Sequence, residues 1–362
     1  MKKLNKKILI STGGTGGHVF PAYSLAQYLT GQNFSVEIVT DTRGMKFLQN
    51  CKINLKLINT DTIFQKNPFK VIYSFFQIIF ALIKSFFFLI NSKPSLVFGM
   101  GGYSSFPICL AAKLLKIPFI IYENNLLLGK ANKFLLPFAH KIFVSYSDLE
   151  GLESKYDFKK IEIGNLIREK ILNFKSNKSL LKENEISILI LGGSQAARSF
   201  AVKLPKIVDQ CTKEKIKLRL FQQCLKDQNL ELEELYKTKN IKFELFNFSE
   251  NLLEYFSKID LAITRAGSSM IAELINCNIP FISIPFPYSA ENHQLKNAKY
   301  FEKKGYGFLV EEQDIEFKLF TLIKMIHKDK NLLTQIKEKQ KNHSDKSVFK
   351  KVDKYIKEII NE

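Results

Sequence analysis

Three glycine-rich segments carry the first chemistry in this sequence: Gly13–His18 (GGTGGH), Gly99–Ser105 (GMGGYSS) and Gly192–Ser199 (GGSQAARS). Each follows a short apolar run. Glycine accepts positive φ and lets the backbone come close to a phosphate. The helix behind such a turn offers unbonded N–H groups and the positive end of its dipole to an anion. Any one of the three could be only a tight turn. Three of them at strand ends point to the carboxyl edge of parallel sheets, where doubly wound folds bind ligands. His18 closes the first turn. Its imidazole titrates near neutral pH and suits proton abstraction from a hydroxyl; the plainer alternative is a cap on the following helix. For His293 the plainer role is to shape the loop that carries Gln294.

Several chemistries are excluded. A dinucleotide fingerprint needs G-x-G-x-x-G and an acid about twenty residues on. Gly14 and Gly16 fit its first two glycines, but Val19 stands where the third belongs, although Asp41 ends the next strand. No G-x-x-x-x-G-K-[ST] occurs. Cys51, Cys109, Cys211, Cys224 and Cys277 are scattered, odd in number and without a C-x-x-C pair, which argues against a disulfide framework or a zinc site and suits a reducing cytosol. No Asp-x-Asp metal motif occurs, so no metal and no cofactor is expected.

The elements that must position these turns alternate. Strands are expected at Lys7–Ser11, Ser35–Thr40, Ser95–Met100, Phe119–Tyr122, Lys141–Ser145, Ser187–Leu191, Leu218–Gln222, Lys242–Phe246, Leu261–Thr264 and Phe281–Ile284, with helical patterns between them. Short apolar runs of this kind imply parallel sheets covered on both faces. KILISTGGTGGH and SILILGGSQAAR, half a chain apart, repeat the order strand, glycine pair, helix. The fold class is therefore α/β, with two Rossmann-like doubly wound domains. The first is expected over 1–165 and the second over 166–345. A terminal helix over 346–362, with Val348, Val352, Tyr355 and Ile359 at helical spacing, is expected to pack back on the first domain. The opening MKKLNKKILIST holds an apolar run of only Ile8–Ile10, too short for a signal peptide.

Of the 362 residues 46% are hydrophobic, and the formal charge is +19. That balance favours an anionic partner. Without an arginine cluster, zinc finger or aromatic–basic motif, it gives no case for nucleic acid. Phe69–Ile90 (FKVIYSFFQIIFALIKSFFFLI) is long enough to span a bilayer. Lys70 and Lys84 interrupt it, and a lysine near the centre of a spanning helix costs roughly 2.5–3.5 kcal/mol. A buried helix, a membrane-surface face and a true span all stay open, and the first two are compatible. Basic charge beside an apolar face is how a protein rests on an anionic membrane.

Taken together, GGTGGHVFPA (Gly13–Ala22), GMGGYSSFP (Gly99–Pro107), YENN (Tyr122–Asn125), GNLIR (Gly164–Arg168), GGSQAAR (Gly192–Arg198), TRAGSSMIAE (Thr264–Glu273) and PYSAENHQLKNA (Pro287–Ala298) resemble, in order, the bacterial family that adds N-acetylglucosamine to lipid I. These are GT-B enzymes of glycosyltransferase family 28, whose two domains face across a cleft. The chain departs from the pattern at Tyr122, where His is usual, at Asn124, where Gln is usual, and at Leu166, where Pro is usual and whose replacement should loosen the hinge.

The resemblance implies an inverting transfer from UDP-N-acetylglucosamine to the 4-hydroxyl of the muramoyl residue of the undecaprenyl-pyrophosphoryl acceptor. It implies His18 as base, with Glu123 and Asn125 orienting substrates. The donor would meet Thr15, Gly16, Gly17, Asn125, Arg168, Ser194, Gln195, Ser249, Ser268, Ser269, Glu273 and Gln294, with Glu273 on the ribose diol and Phe248–Ser249 at the uracil. The acceptor would meet Gly14, Gly101, Gly102 and Tyr103. The implied partners are this donor, the lipid-linked acceptor, an anionic membrane surface on the cytoplasmic side, and cell-wall or division proteins. A diacylglycerol glycosyltransferase and a non-catalytic nucleotide-sugar-binding protein are the alternatives.

Overall fold

A computed structural model describes residues 6–60, 68–175, 185–247, 249 and 251–361. The chain packs into two compact units, Met1–Glu169 with Asp345–Glu362, and Lys170–Ser344. Residues 166–169 and Asp345 thus belong with the first unit, whereas the sequence suggests changes of domain after 165 and after 345.

The first unit is built on a fully parallel sheet. Its strands are β1 (Lys7–Ser11), β2 (Ser35–Thr40), β3 (Asn54–Leu57), β4 (Leu96–Gly99), β5 (Phe119–Glu123), β6 (Lys141–Val144) and β7 (Lys160–Glu162), in the order β3-β2-β1-β4-β5-β6-β7. The chain winds outward in both directions from β1, so the crevice between β1 and β4 is the switch point of the sheet. Register aligns Ser11 with Gly99, which ends both strands at one level and brings the first two glycine turns together. Leu9, Val97, Ile121 and Ile142 pack with Ile108, Ala111 and Ala112 of the helix Gly102–Leu114.

The terminal helix Val348–Asn361 buries Val348, Val352, Ile356 and Ile359. It stacks Phe349 on Tyr28 with ring centroids 4.9 Å apart and sets Tyr355 against Phe143.

The apolar segment forms one helix, Pro68–Ser92, between β3 and β4, with an inverted pattern. Its buried stripe is Ser74, Ala81, Ser85 and Leu89, spaced to share one face and packed against the helix Gly102–Leu114. Ser85 Oγ satisfies itself by donating to the Ala81 carbonyl at 2.6 Å. Phe75, Phe76, Phe80 and Phe87 point outward and are each more than half exposed.

The second unit repeats the plan with β8 (Glu185–Leu191), β9 (Lys217–Gln223), β10 (Lys242–Phe246), β11 (Leu261–Thr264), β12 (Phe281–Ser283) and β13 (Phe308–Leu309), parallel in the order β10-β9-β8-β11-β12-β13. Leu191 pairs with Thr264, so the glycine turn after β8 lies beside the segment after β11. Ile186, Ile188, Ile190, Phe200, Leu204, Leu261 and Ile263 form its core.

The sequence reading misses β3, β7 and β13. All three are edge strands of two to four residues, and edges are commonly short and polar.

Candidate active site

In the first unit the helix Gly16–Gly31 begins inside the glycine segment, so His18 lies in its first turn. Thr15 is the N-cap residue but makes no side-chain cap hydrogen bond. The turn is tied down from elsewhere by Asp41, at the end of β2. Its buried carboxylate accepts from Gly14 N at 3.0 Å, Gly44 N at 2.8 Å, Ser104 Oγ at 3.0 Å and Arg43 Nη2 at 2.8 Å. Burial pushes the Asp41 carboxyl up, but the two backbone donors and Arg43 outweigh it and hold it below the ordinary carboxylate range. Asp41 is thus committed to the loop and is not available for a ribose, which removes the residual case for a dinucleotide site.

The His18 imidazole lies on the second glycine turn. A Cβ at Gly101 would stand 3.3 Å from His18 Cε1 and 3.3 Å from the Tyr122 carbonyl. Gly101 also has φ +83 and Gly102 φ +70, so this approach depends on glycine. Tyr103, half-buried, sits in the first turn of the helix Gly102–Leu114.

The loop after β5 closes the cluster. Asn124 Nδ2 donates to the Gly17 carbonyl at 3.1 Å. Glu123 Oε1 accepts from Asn125 N at 3.1 Å and Asn125 Nδ2 at 3.0 Å, and Oε2 accepts from Gly129 N at 3.0 Å and Asn132 Nδ2 at 2.9 Å. Four donors fill the four acceptor positions of a carboxylate. The Glu123 carboxylate thus holds its own loop and Asn125.

Arg168 belongs to the first unit, its guanidinium 5.8 Å from the centre of the Phe20 ring. A Cβ on Gly16 would meet that same ring at 2.8 Å. Arg168, Phe20 and Gly16 are therefore one stack beside the first turn.

The segment at Leu166, where a looser hinge is expected, carries a tie of its own. Leu166 N–H donates to the Tyr122 hydroxyl at 3.1 Å, a bond that proline could not make. Next to it, Gly164 at φ +96 faces Asp345, whose carboxylate accepts from Asn165 N at 2.9 Å. Burial pushes the Tyr122 phenol up, so it stays a neutral hydrogen-bonding group.

In the second unit the helix Gly193–Lys213 opens at the third glycine turn. Gly193 N–H is held by Gln223 Oε1 at 3.1 Å. The side chains of Ser194 and Gln195, and Phe248 entirely, lie outside the described residues. Ser249 Oγ accepts from Asn251 N at 3.2 Å, a turn contact. Ser268 and Ser269 open the helix Ser268–Asn276, in which Glu273 is buried. Gln294 Oε1 accepts from Phe286 N at 2.9 Å, so its carbonyl end serves the loop. His293 Nδ1 lies 2.8 Å from the Ala290 carbonyl, the loop-shaping role. In the same loop Glu291 and Asn292 adopt φ +51 and +55.

Arg265 is a functional candidate that sequence spacing alone does not mark. It is buried after β11, between the rings of Phe200 and Phe286, and pairs with Glu312. Its Nη1 donates to the Ile284 and Pro285 carbonyls, and Glu312 Oε1 accepts from Ser199 Oγ at 2.6 Å. One arginine thus braces the glycine-turn helix against the segment leading to Gln294. Desolvation lowers the Arg265 pKa although Glu312 opposes it. The signal in sequence was its place within TRAGSSMIAE. Among the described residues no group of three or more His, Cys, Asp or Glu is placed to hold a metal ion.

Residues 8–144 match the glycosyltransferase family 28 N-terminal domain, and residues 187–353 match the family 28 C-terminal domain. The chain belongs to glycosyltransferase family 28. A family 28 relative from Pelagibacter ubique, named UDP-N-acetylglucosamine--N-acetylmuramyl-(pentapeptide) pyrophosphoryl-undecaprenol N-acetylglucosamine transferase, is 36% identical over 99% of this chain and 100% of its own. A Rickettsia canadensis protein of the same name is 34% identical over 86% of this chain and 87% of its own. The crystal structure of Acinetobacter baumannii MurG superposes with a TM-score of 0.78 at 25% identity, covering 98% of this chain and 99% of that one. S. aureus MnaA in complex with UDP, at 17% identity and a TM-score of 0.68, shares the fold alone. This family 28 glycosyltransferase carries a glycine turn at the carboxyl edge of each sheet.

Proposed function

We propose that this glycosyltransferase moves N-acetylglucosamine from UDP-N-acetylglucosamine to the 4-hydroxyl of the N-acetylmuramoyl residue of undecaprenyl-pyrophosphoryl-muramoyl-pentapeptide, giving the β-linked disaccharide lipid and UDP. The observation that carries this is the packing of the His18 imidazole on Gly101–Gly102, with Asn124 bonded to Gly17. An imidazole beside two glycine turns is what proton abstraction next to a bound pyrophosphate requires. The 36% identity over the full chain to an enzyme named for this activity supports this choice of substrates.

In this reading His18 takes the proton of the acceptor hydroxyl as its oxygen attacks the anomeric carbon. The bond to the UDP oxygen breaks in the same displacement, so configuration inverts. Gly14, Gly101, Gly102 and Tyr103 receive the acceptor, and Asn125, held by Glu123, orients the substrates. Arg168 and the turn at Gly192–Gln195 stabilise the departing diphosphate. Glu273 accepts from the ribose diol, and the Gln294 amide donates to the sugar.

The reaction takes place on the cytoplasmic face of the plasma membrane. The outward face of Pro68–Ser92 carries phenylalanines where a soluble helix carries polar residues, with Lys84 Nζ 4.3 Å above the Phe80 ring. The exposed residues Leu114, Phe134 and Phe138 add to the apolar surface of the same unit. A lipid surface with anionic headgroups fits both features.

The test is transfer of labelled N-acetylglucosamine to the lipid-linked muramoyl-pentapeptide by purified protein. Donor binding without a lipid-linked disaccharide, or transfer to diacylglycerol instead, would overturn the acceptor assignment.

A further inference from the structure

Tyr122 stands at the end of β5, one residue before Glu123, and is fully buried. Its hydroxyl has three neighbours: Ser145 Oγ at 2.8 Å, the Gly164 carbonyl at 3.3 Å and Leu166 N–H at 3.1 Å. Gly164 and Leu166 lie four and two residues before Arg168. At the other end of the same residue, the Tyr122 carbonyl accepts from Asn132 Nδ2 at 3.0 Å. That amide also donates to Glu123 Oε2 at 2.9 Å. Tyr122 therefore belongs to two assemblies, the loop that holds Asn125 and the segment that ends at Arg168.

The chemistry of the two positions is matched. A phenol accepts and donates at one oxygen. Here it accepts the Leu166 N–H, and its proton goes to Ser145 or Gly164. Proline at 166 would offer no N–H, and a phenylalanine at 122 would leave a buried N–H and a carbonyl without this partner. The departures at 122 and 166 thus form one hydrogen-bonded unit. A long arginine side chain reaches a defined point only when the chain leading to it is held, and Tyr122 holds that chain at Gly164 and Leu166.

We propose that the Tyr122 hydroxyl is a positioning group that sets Arg168 for the donor diphosphate and joins that setting to the Glu123–Asn125 loop. This rests on the reading of Arg168 as a diphosphate-binding residue. The test is a double-mutant cycle of Tyr122→Phe and Arg168→Ala in the full chain. It is read as UDP affinity by calorimetry and as donor KM and kcat in the transfer assay. Hydrogen exchange of the peptide containing 164–168 is measured alongside.

Tyr122→Phe is expected to weaken UDP binding and raise donor KM about tenfold, and to cost less than about twofold once Arg168 is alanine. Leu166→Pro reaches the same contact from the other end: adding Tyr122→Phe to it should also cost less than about twofold. Exchange at 164–168 should quicken in Tyr122→Phe. Effects that multiply across the cycle overturn the proposal, as does wild-type UDP affinity in Tyr122→Phe. A drop in Tm with activity following only the folded fraction overturns it too, since that is a purely structural role. Unchanged UDP affinity in Arg168→Ala removes Arg168 and the proposal together. A wild-type protein that shows the UDP cycle yet transfers no sugar strikes the acceptor assignment alone and supports the proposal.

Discussion

Glu123→Gln separates a carboxylate that reacts from one that holds. The native carboxylate accepts four N–H donors, from Asn125 N, Asn125 Nδ2, Gly129 N and Asn132 Nδ2. Glutamine keeps one oxygen and turns an NH₂ group toward two of those donors. Each hydrogen bond to a charged group contributes about 1.5–3 kcal/mol, so losing two costs roughly 3–6 kcal/mol before the loop relaxes. With about 3 kcal/mol remaining and 1.4 kcal/mol per tenfold, kcat/KM should fall roughly 100-fold. A unit of this size should also lose about 6–12 °C in Tm. Thermal unfolding and steady-state transfer on the same preparations measure both. A variant that melts like the wild type while kcat collapses would refute the argument, because the carboxylate would then be acting on substrate and not on its loop.

Four further outcomes follow from the same structure. His18→Ala should lower kcat at least about 100-fold while UDP affinity stays near wild type; an unchanged kcat removes the base. Asp41 has a depressed folded-state pKa, so its stabilisation is present above the unfolded value of about 3.9 and is lost as pH falls through the lower folded value. Asp41→Asn should flatten that part of the acid-unfolding profile and raise acceptor KM, and an unaltered profile would show that Asp41 does not tie the turn. Phe75→Asp and Phe87→Asp should each weaken flotation with anionic liposomes by about 30-fold, from roughly 2 kcal/mol of apolar burial lost; flotation equal to wild type would exclude this helix from the contact. EDTA should leave turnover intact, and abolition reversed by magnesium would contradict a metal-free transfer.

The strand-then-glycine pattern was legible because buried parallel strands are short continuous apolar runs, and glycine interrupts them sharply. The inverted helix was half legible. Its phenylalanines were plain, but Ser74 and Ser85 as the inward residues emerge only when small side chains let Pro68–Ser92 approach its neighbour. The anchoring of the site was not legible. Asp41 and Gly14 are 27 positions apart, and Asn165 and Asp345 are 180 apart. These pairs come from sheet register and from the return of the chain to the first unit. Glu123 was visible as a carboxylate near Asn125, but whether its lone pairs face substrate or its own loop depends on Gly129 and Asn132, which sequence spacing does not place. Arg265 lies within TRAGSSMIAE, but its bracing role is not legible there, because it comes from Glu312 and two carbonyls far along the chain.

The bond between Asn165 and Asp345 makes the second unit a guest within the first. On the ribosome, every strand of the first sheet has been synthesised once Glu162 is made, yet the helix that covers Tyr28 and Phe143 follows only after the second unit. At 5–20 residues per second, synthesis of residues 170–344 separates the two events by roughly 10–35 s. For that interval the nascent host domain lacks its closing helix while the phenylalanines of Pro68–Ser92 are already displayed. A nearby bilayer surface would cover that face throughout the wait. The host should also tolerate having its guest replaced by a short linker from Glu169 to Asp345, because both ends of the gap belong to the same unit.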